Sequence, residues 1–249
     1  MEKIKPTLLS MAPFVHSRHG ISGLWYDMIA GMLPVFIASI LVDIEKGLYA
    51  VVLISSFALI GTIIIRLQKG SIRLMYMFPK YVLWSMMLTV ILPSGCSLIT
   101  VIIAASGAQI AEYFMVGASG ATVFPAFAIA WLIIATIGNS GTISYNIANI
   151  FPVLFGGLFM LFRRRISVYI LAGYVCIFAA GIFLGGELTS TKTVLMALTG
   201  LVFSCYPGII PGGNRARILF GMLAGTMIWI FGIWGYILTC ALSPLMDLL

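Results

Sequence analysis

Long apolar runs with almost no charge fill this chain from about residue 24 to residue 240. The stretch 98–111 holds no Asp, Glu, Lys or Arg at all. In lipid, every backbone N–H and C=O must be paired internally, so only helices and closed barrels can span it. Barrel strands alternate apolar and polar residues over about ten positions. These runs are instead continuous in Leu, Ile, Ala, Met and Gly, which selects helices. Composition agrees: 61% of residues are hydrophobic, 8% are charged and the mean hydropathy is +1.13. Soluble domains carry about 25% charged residues. The expected fold is therefore an all-α polytopic membrane protein whose solvent is the lipid bilayer.

Nine transmembrane spans can be drawn, at 24–42, 48–65, 81–92, 98–115, 123–137, 147–162, 166–184, 193–204 and 218–240. The count becomes ten if the short spans, 81–92 and 193–204, are split. The first run is of full span length, which reads as a retained helix rather than a leader. Residues 1–23 form the amino-terminal segment, and 24–249 form a single transmembrane domain. Spans 81–92 and 193–204 fall short of the roughly 20 apolar residues that a simple crossing needs. Short or broken helices at corresponding places of two halves mark the central site of many inverted-repeat transport folds. The Gly/Pro-rich stretches 117–126 and 206–213 add to that pattern, because they cannot continue as regular helix. The expectation is two inverted repeats, with halves at about 24–137 and 147–240.

The net charge of +7 is read through the loops. With nine spans, every Lys and Arg except Lys46 and Lys192 falls on one side, which the positive-inside rule makes cytoplasmic. The amino terminus is then inside and the carboxyl terminus outside, in a plasma (cell inner) membrane. The basic excess has this loop-anchoring explanation, so nucleic acid is not an expected partner.

Candidate chemistry is sparse. The four cysteines, Cys96, Cys176, Cys205 and Cys240, have no metal-type spacing. His16 and His19 lie before the first span without a carboxylate or Cys at ligand spacing, so they read as a solvated flank. No catalytic side chain and no metal site is expected. Intramembrane acids are costly and frequently functional. Asp27, in the first turn of the first span, and Glu112, late in the fourth, are the candidates for an ion pathway. Asp27 also suits a helix amino terminus for electrostatic reasons alone. The loop 117–122 leads into a helix, where free N–H groups can hold a phosphate. Small residues there also permit close packing.

Several segments together resemble a known family. It includes the D subunit of the Rnf electron-transport complex and the B subunit of the sodium-translocating NADH:quinone reductase. Ala12-Pro13-Phe14-Val15-His16-Ser17 looks like the family's Ser-Pro-His-x-His/Arg opening, with Phe14 in place of a histidine. Asp27 to Pro34 resembles its first span. Gly117 to Ala126 is similar to its Gly-x-Gly-x-Asn-x-Phe-Asn-Pro-Ala segment, keeping Gly117, Pro125 and Ala126. Gly138 to Ser144 looks like its Gly-Ser-Ile-Gly-Glu region. Phe155-Gly156-Gly157-Leu158-Phe159-Met160-Leu161-Phe162-Arg163-Arg164 is close to its Gly-Gly-Leu-Tyr-Leu-Leu-Arg-Arg motif. Arg217 to Gly225 resembles its Lys-Gly-x-x-Ile-Phe-Gly-x-x-Ala-Gly segment. The family has Ala-Thr-Asp-Pro where this chain has Ser204-Cys205-Tyr206-Pro207, so one carboxylate is missing.

The resemblance implies flavin chemistry in the membrane. Such subunits carry FMN on a threonine of an Asp-Gly-x-Ser-Gly-Ala-Thr motif. Ser119-Gly120-Ala121-Thr122 resembles it, which makes Thr122 the candidate for covalent FMN, with Ser119, Gly120 and Ala121 beside it. Val116 stands where the motif has Asp, and the tetrapeptide sits in the family's asparagine-proline segment. A noncovalent flavin and a plain packing turn therefore stay open. The expected function is a membrane subunit of an ion-translocating oxidoreductase, working with other membrane subunits. The alternatives are a small-solute or ion channel or carrier of the same architecture, and a non-redox assembly subunit.

Overall fold

The computed structural model describes residues 20–67, 74–92, 95–115, 126–137, 150–163, 165–183, 190–205, 211 and 213–246. Among them are ten α-helices and no strand: α1 (Gly20–Val42), α2 (Glu45–Leu67), α3 (Leu74–Ile91), α4 (Leu98–Met115), α5 (Ala126–Ile137), α6 (Ile150–Phe162), α7 (Val168–Phe183), α8 (Ser190–Leu201), α9 (Asn214–Phe231) and α10 (Ile233–Met246). A 3₁₀ turn, Phe203–Cys205, follows α8.

Local chemistry sets several helix ends. The Asp43 carboxylate accepts the Glu45 N–H at 3.1 Å, pairing a donor that α2 leaves open at its start. The Ser97 hydroxyl accepts the Thr100 N–H at 3.2 Å and caps α4. Pro34 is tolerated inside the 23-residue α1, and Pro79 lies near the start of α3.

Three spans differ from their sequence reading. The first begins at Gly20, so Asp27 is the eighth residue of α1 and not part of its first turn. The short span at 81–92 is an 18-residue helix that begins at Leu74. Pro79 and Lys80 suggest a loop there; Pro79 is the sixth residue of α3, so the helix forgoes one backbone bond, and the Lys80 ammonium lies 4.2 Å over the Trp84 ring, one turn on. The span at 218–240 is two helices. Gly232, at φ 61 and ψ −138, stops α9 in a backbone region that other residues rarely enter. The chain folds back so sharply that a Cβ on Gly235 would meet the Met227 carbonyl.

Four helix pairs of the first five helices recur in the second five, while α3–α5, α1–α2 and α8–α9 have no such counterpart. The pairs α1–α3, α2–α4, α2–α3 and α4–α5 are matched by α6–α8, α7–α9, α7–α8 and α9–α10. Directions match as well. In α7 and α9, Gly173 faces Gly221, Ile177 faces Gly225 and Trp229 lies against Gly181, so these helices run parallel. In α2 and α4, the Tyr49 hydroxyl donates to the Cys96 carbonyl near both helix starts, again a parallel arrangement. The halves meet where α1 crosses α6. There Asp27 faces Arg163, and Gly31 faces Gly156 and Met160, so α1 and α6 are antiparallel. A second junction is the edge-to-face pair Trp131 on α5 and Trp234 on α10, at 4.4 Å.

The surface carries many large apolar side chains. Phe162 and Phe183 are 86% and 89% exposed, and Leu41, Phe151 and Val168 also face outward. Asp27, Lys46, Gln109, Arg165 and Arg217 are buried. By length and composition, Gly23–Val42 and Glu45–Ile64 are each long and apolar enough to cross a membrane.

Candidate functional site: an ion cluster between the halves

At the crossing of α1 and α6, one carboxylate is held by two guanidinium groups. Arg163 donates Nε–H to Oδ1 of Asp27 at 2.9 Å, and its Nη2 lies 2.8 Å from the same oxygen. Arg165 donates Nε–H to Oδ2 at 2.7 Å, with its Nη2 on that oxygen too. Both carboxylate oxygens are thus engaged through charge-assisted bonds. Asp27 and Arg165 are buried, whereas the Arg163 side chain is 48% exposed. Among the described residues two guanidinium groups face this one carboxylate, and Arg163 is the one that reaches the surface.

Helix directions place this cluster within a basic end of the molecule. The start of α1, the ends of α2 and α6, and the starts of α3, α7 and α9 lie together. Their described basic residues are Arg66, Lys80, Arg163, Arg165, Arg215 and Arg217. Arg217 is buried and donates Nε–H to the Pro211 carbonyl at 2.9 Å. The opposite end carries Asp43, Glu45, Lys46 and Lys192. There the buried Lys46 ammonium donates to the Val90 carbonyl in the last turn of α3, at 3.3 Å. Beside it an open surface depression of about 350 Å³ is lined by Glu45, Leu48, Tyr49, Gly95, Cys96 and Leu98. Burial pushes the Cys96 thiol, in the α3–α4 loop, above its usual range.

The sequence-derived candidates are distributed unevenly over this picture. Asp27 is at the centre of the cluster. Glu112 belongs to the last turn of α4, and its side chain lies outside the described residues. Ser119, Gly120, Ala121 and Thr122 lie outside them as well, as do His16 and His19. Among the described residues no group of three His, Cys, Asp or Glu is placed to hold a metal ion.

Sequence reasoning missed Arg165 and Arg163 as partners of Asp27. The available signal was a lone acid early in an apolar span, which needs a cation, together with an arginine run at the end of another span. It also missed that Tyr174 and Tyr236 turn inward, and the buried polar groups left without a hydrogen bond, which include Thr89 Oγ1, Gln109 Oε1 and Ser167 Oγ. Nothing in the sequence marks which tyrosines turn inward. Comparison with family models finds no match, and comparison with curated proteins finds none.

Proposed function

We propose that this chain is a multi-pass membrane subunit of an ion-translocating, flavin-dependent electron-transport complex, similar to the D subunit of the Rnf complex. Three features support the membrane part. Many large apolar side chains face outward, and Asp27, Lys46, Arg165 and Arg217 are buried, which suits a lipid solvent. The basic residues gather at one end, as cytoplasmic anchoring demands. The recurrent pairing, with α1 and α6 antiparallel, suits two five-helix repeats of opposite orientation. The two hairpin loops carry opposite charge accordingly: Asp43 and Glu45 after α1, Arg163 and Arg165 after α6.

The observation that carries the redox reading is the Asp27–Arg163 pair. It joins the segment that resembles the family's first span to the segment that resembles its Arg-Arg motif. Two stretches far apart in sequence are thus parts of one interface between the halves. In this reading FMN is carried at Thr122 or held reversibly, and it performs the electron chemistry. The protein supplies position and electrostatics. Asp27 orders the cytoplasmic end of the subunit, and Glu112 is the acid available to an ion path.

Ten crossings change one detail of the topology. The fold-back at Gly232 returns α10 toward the basic end, and in this reading the end of α10 is cytoplasmic, like the start of α1. Nine crossings would leave the carboxyl terminus outside.

The test is ultraviolet in-gel fluorescence of the denatured chain purified from membranes, with intact mass measured beside it. A fluorescent band with the added mass of one FMN, lost in Thr122→Ala, supports the covalent form. A dark band together with flavin released on denaturation supports the reversible one. A dark band and no released flavin removes the redox reading. The second reading, a solute or ion carrier, then stands, favoured by the unpaired hydroxyl and amide groups inside both halves.

A further inference from the structure

The outward face of α6 carries an apolar stripe that ends on a fixed cation. Phe151, Leu154, Phe155, Leu158 and Phe162 are all exposed, and their spacing of three or four residues puts them on one side of the helix. The other side is packed: Gly156 and Met160 lie against Gly31 of α1, and Gly157 lies against Leu201 of α8. From Phe151 to Phe162 the stripe rises about 16 Å at the pitch of an α-helix. That is close to half of the roughly 30 Å hydrocarbon core of a bilayer, the depth of one leaflet.

Arg163 follows directly, at the basic end of the molecule. Its Nε and Nη2 lie 2.9 and 2.8 Å from Oδ1 of Asp27, so the guanidinium is held in place, and Nη1 is not committed to that carboxylate. Arg165, buried on the other oxygen, already gives Asp27 a counter-charge. Among the described residues the second guanidinium is thus in excess, and its side chain is half-exposed. Tyr26, next to Asp27 on α1, is exposed at the same level. A ring with an apolar body and a polar tip suits the boundary between membrane and water.

A ligand complementary to this face has an anionic group for Arg163 and a hydrocarbon chain for the stripe. Arginine is the side chain best matched to phosphate oxygens, through its planar set of donors. A soluble anion uses the guanidinium and leaves the phenylalanines uncovered. A zwitterionic headgroup brings a cation of its own beside the arginine. We propose that the outward face of α6 binds an anionic phospholipid of the cytoplasmic leaflet, with its phosphate on Arg163 and one acyl chain along Phe162, Leu158, Phe155 and Phe151. The lipid neutralises the excess charge where the two halves join, which couples that junction to the charge of the leaflet. The inference rests on the membrane part of the proposed function and is independent of flavin.

Native mass spectrometry of the full chain in detergent, titrated with phosphatidylglycerol or phosphatidylcholine, tests it. Phosphatidylglycerol is expected to be retained in preference. Arg163→Gln is expected to lower its retention about fivefold, the scale of one basic residue at an anionic surface. Arg215→Gln removes the same charge from the same end, but from α9, whose partners are α7, α8 and α10. It is expected to leave retention within about twofold, because salt screens exposed charges that lie apart. Phe155→Ala/Phe162→Ala leaves the ion pair intact and is expected to lower retention as well. Equal retention of the two lipids, equal losses in Arg163→Gln and Arg215→Gln, or full retention by the phenylalanine variant overturns the site, and an acidic protein partner or a diffuse basic end then accounts for Arg163. A chain that alkaline carbonate strips from its membranes breaks the membrane reading itself, which separates that failure from failure of the site.

Discussion

Asp27 and Arg165, 138 residues apart in the chain, meet in a buried ion pair with Nε 2.7 Å from Oδ2. Their side chains are 9% and 6% exposed, so neither charge can turn to water when the other is lost. Breaking a buried pair by removing one partner costs about 3–5 kcal/mol, mainly because the remaining charge is stranded. Asp27→Asn is expected to lower stability by that order. Arg163→Gln should cost far less, since its half-exposed side chain is screened by solvent. Thermal unfolding in detergent checks the ranking. The double variant Asp27→Asn/Arg165→Gln should recover much of the loss, and strict additivity of the two changes would contradict the pairing.

The crossing of α1 and α6 depends on absent side chains. A Cβ on Gly156 would lie 2.1 Å from the Gly31 carbonyl oxygen, and one on Gly221 would lie 2.2 Å from that of Ile170. Backbone cannot yield as a side-chain tip can. A Cβ on Gly107 meets only the Cδ1 of Ile133, at 2.8 Å, which can rotate away. Gly156→Ala and Gly221→Ala are expected to destabilise by about 1–3 kcal/mol or more, as overpacking does. Gly107→Ala should cost little and can gain from its better helix propensity. Equal melting midpoints for Gly156→Ala and Gly107→Ala would show that the crossing is looser than described.

Lys46 closes the carboxyl end of α3 by donating to the Val90 carbonyl, one of the last four that a helix leaves open. A cation there also suits the helix dipole. Lys46→Met keeps the apolar stem but not the donor, and should lower stability by about 1–2 kcal/mol. Lys46→Arg should fall between the two. If Lys46→Met is as stable as the parent protein, the ammonium has no part in holding α2 against α3.

Reporter fusions decide the topology. A fluorescent protein that matures only in the cytoplasm should be bright when fused after Leu249 and when inserted after Phe162. It should be dark when inserted at Asp43. A dark fusion at Leu249 would restore nine crossings and an external carboxyl terminus.

The all-helical character was legible because uninterrupted apolar runs leave a lipid-facing chain few alternatives. The helix ends were less so. Gly232 reads as an ordinary small residue in an apolar run, and only the folded backbone shows that it takes positive φ and breaks the run in two. The start of α3 was hidden by Pro79 and Lys80, whose compensation by Trp84 depends on a helix already being present. Of the site, Asp27 stood out through its charge. Its partners did not, since nothing in a single sequence tells which of several arginines comes to face it. Tyr174 and Tyr236 were invisible for a related reason: burial belongs to the helix face, and apolar residues surround these helices on all sides.

The most direct test of the proposed function is native purification of the tagged chain from its own membranes, with subunit mass spectrometry and a visible spectrum before and after dithionite. The redox reading predicts co-purification with other membrane redox subunits and a visible flavin absorption band that bleaches on reduction. A chain that runs alone, carries no bleachable chromophore and conducts a solute or ion when reconstituted by itself would contradict it.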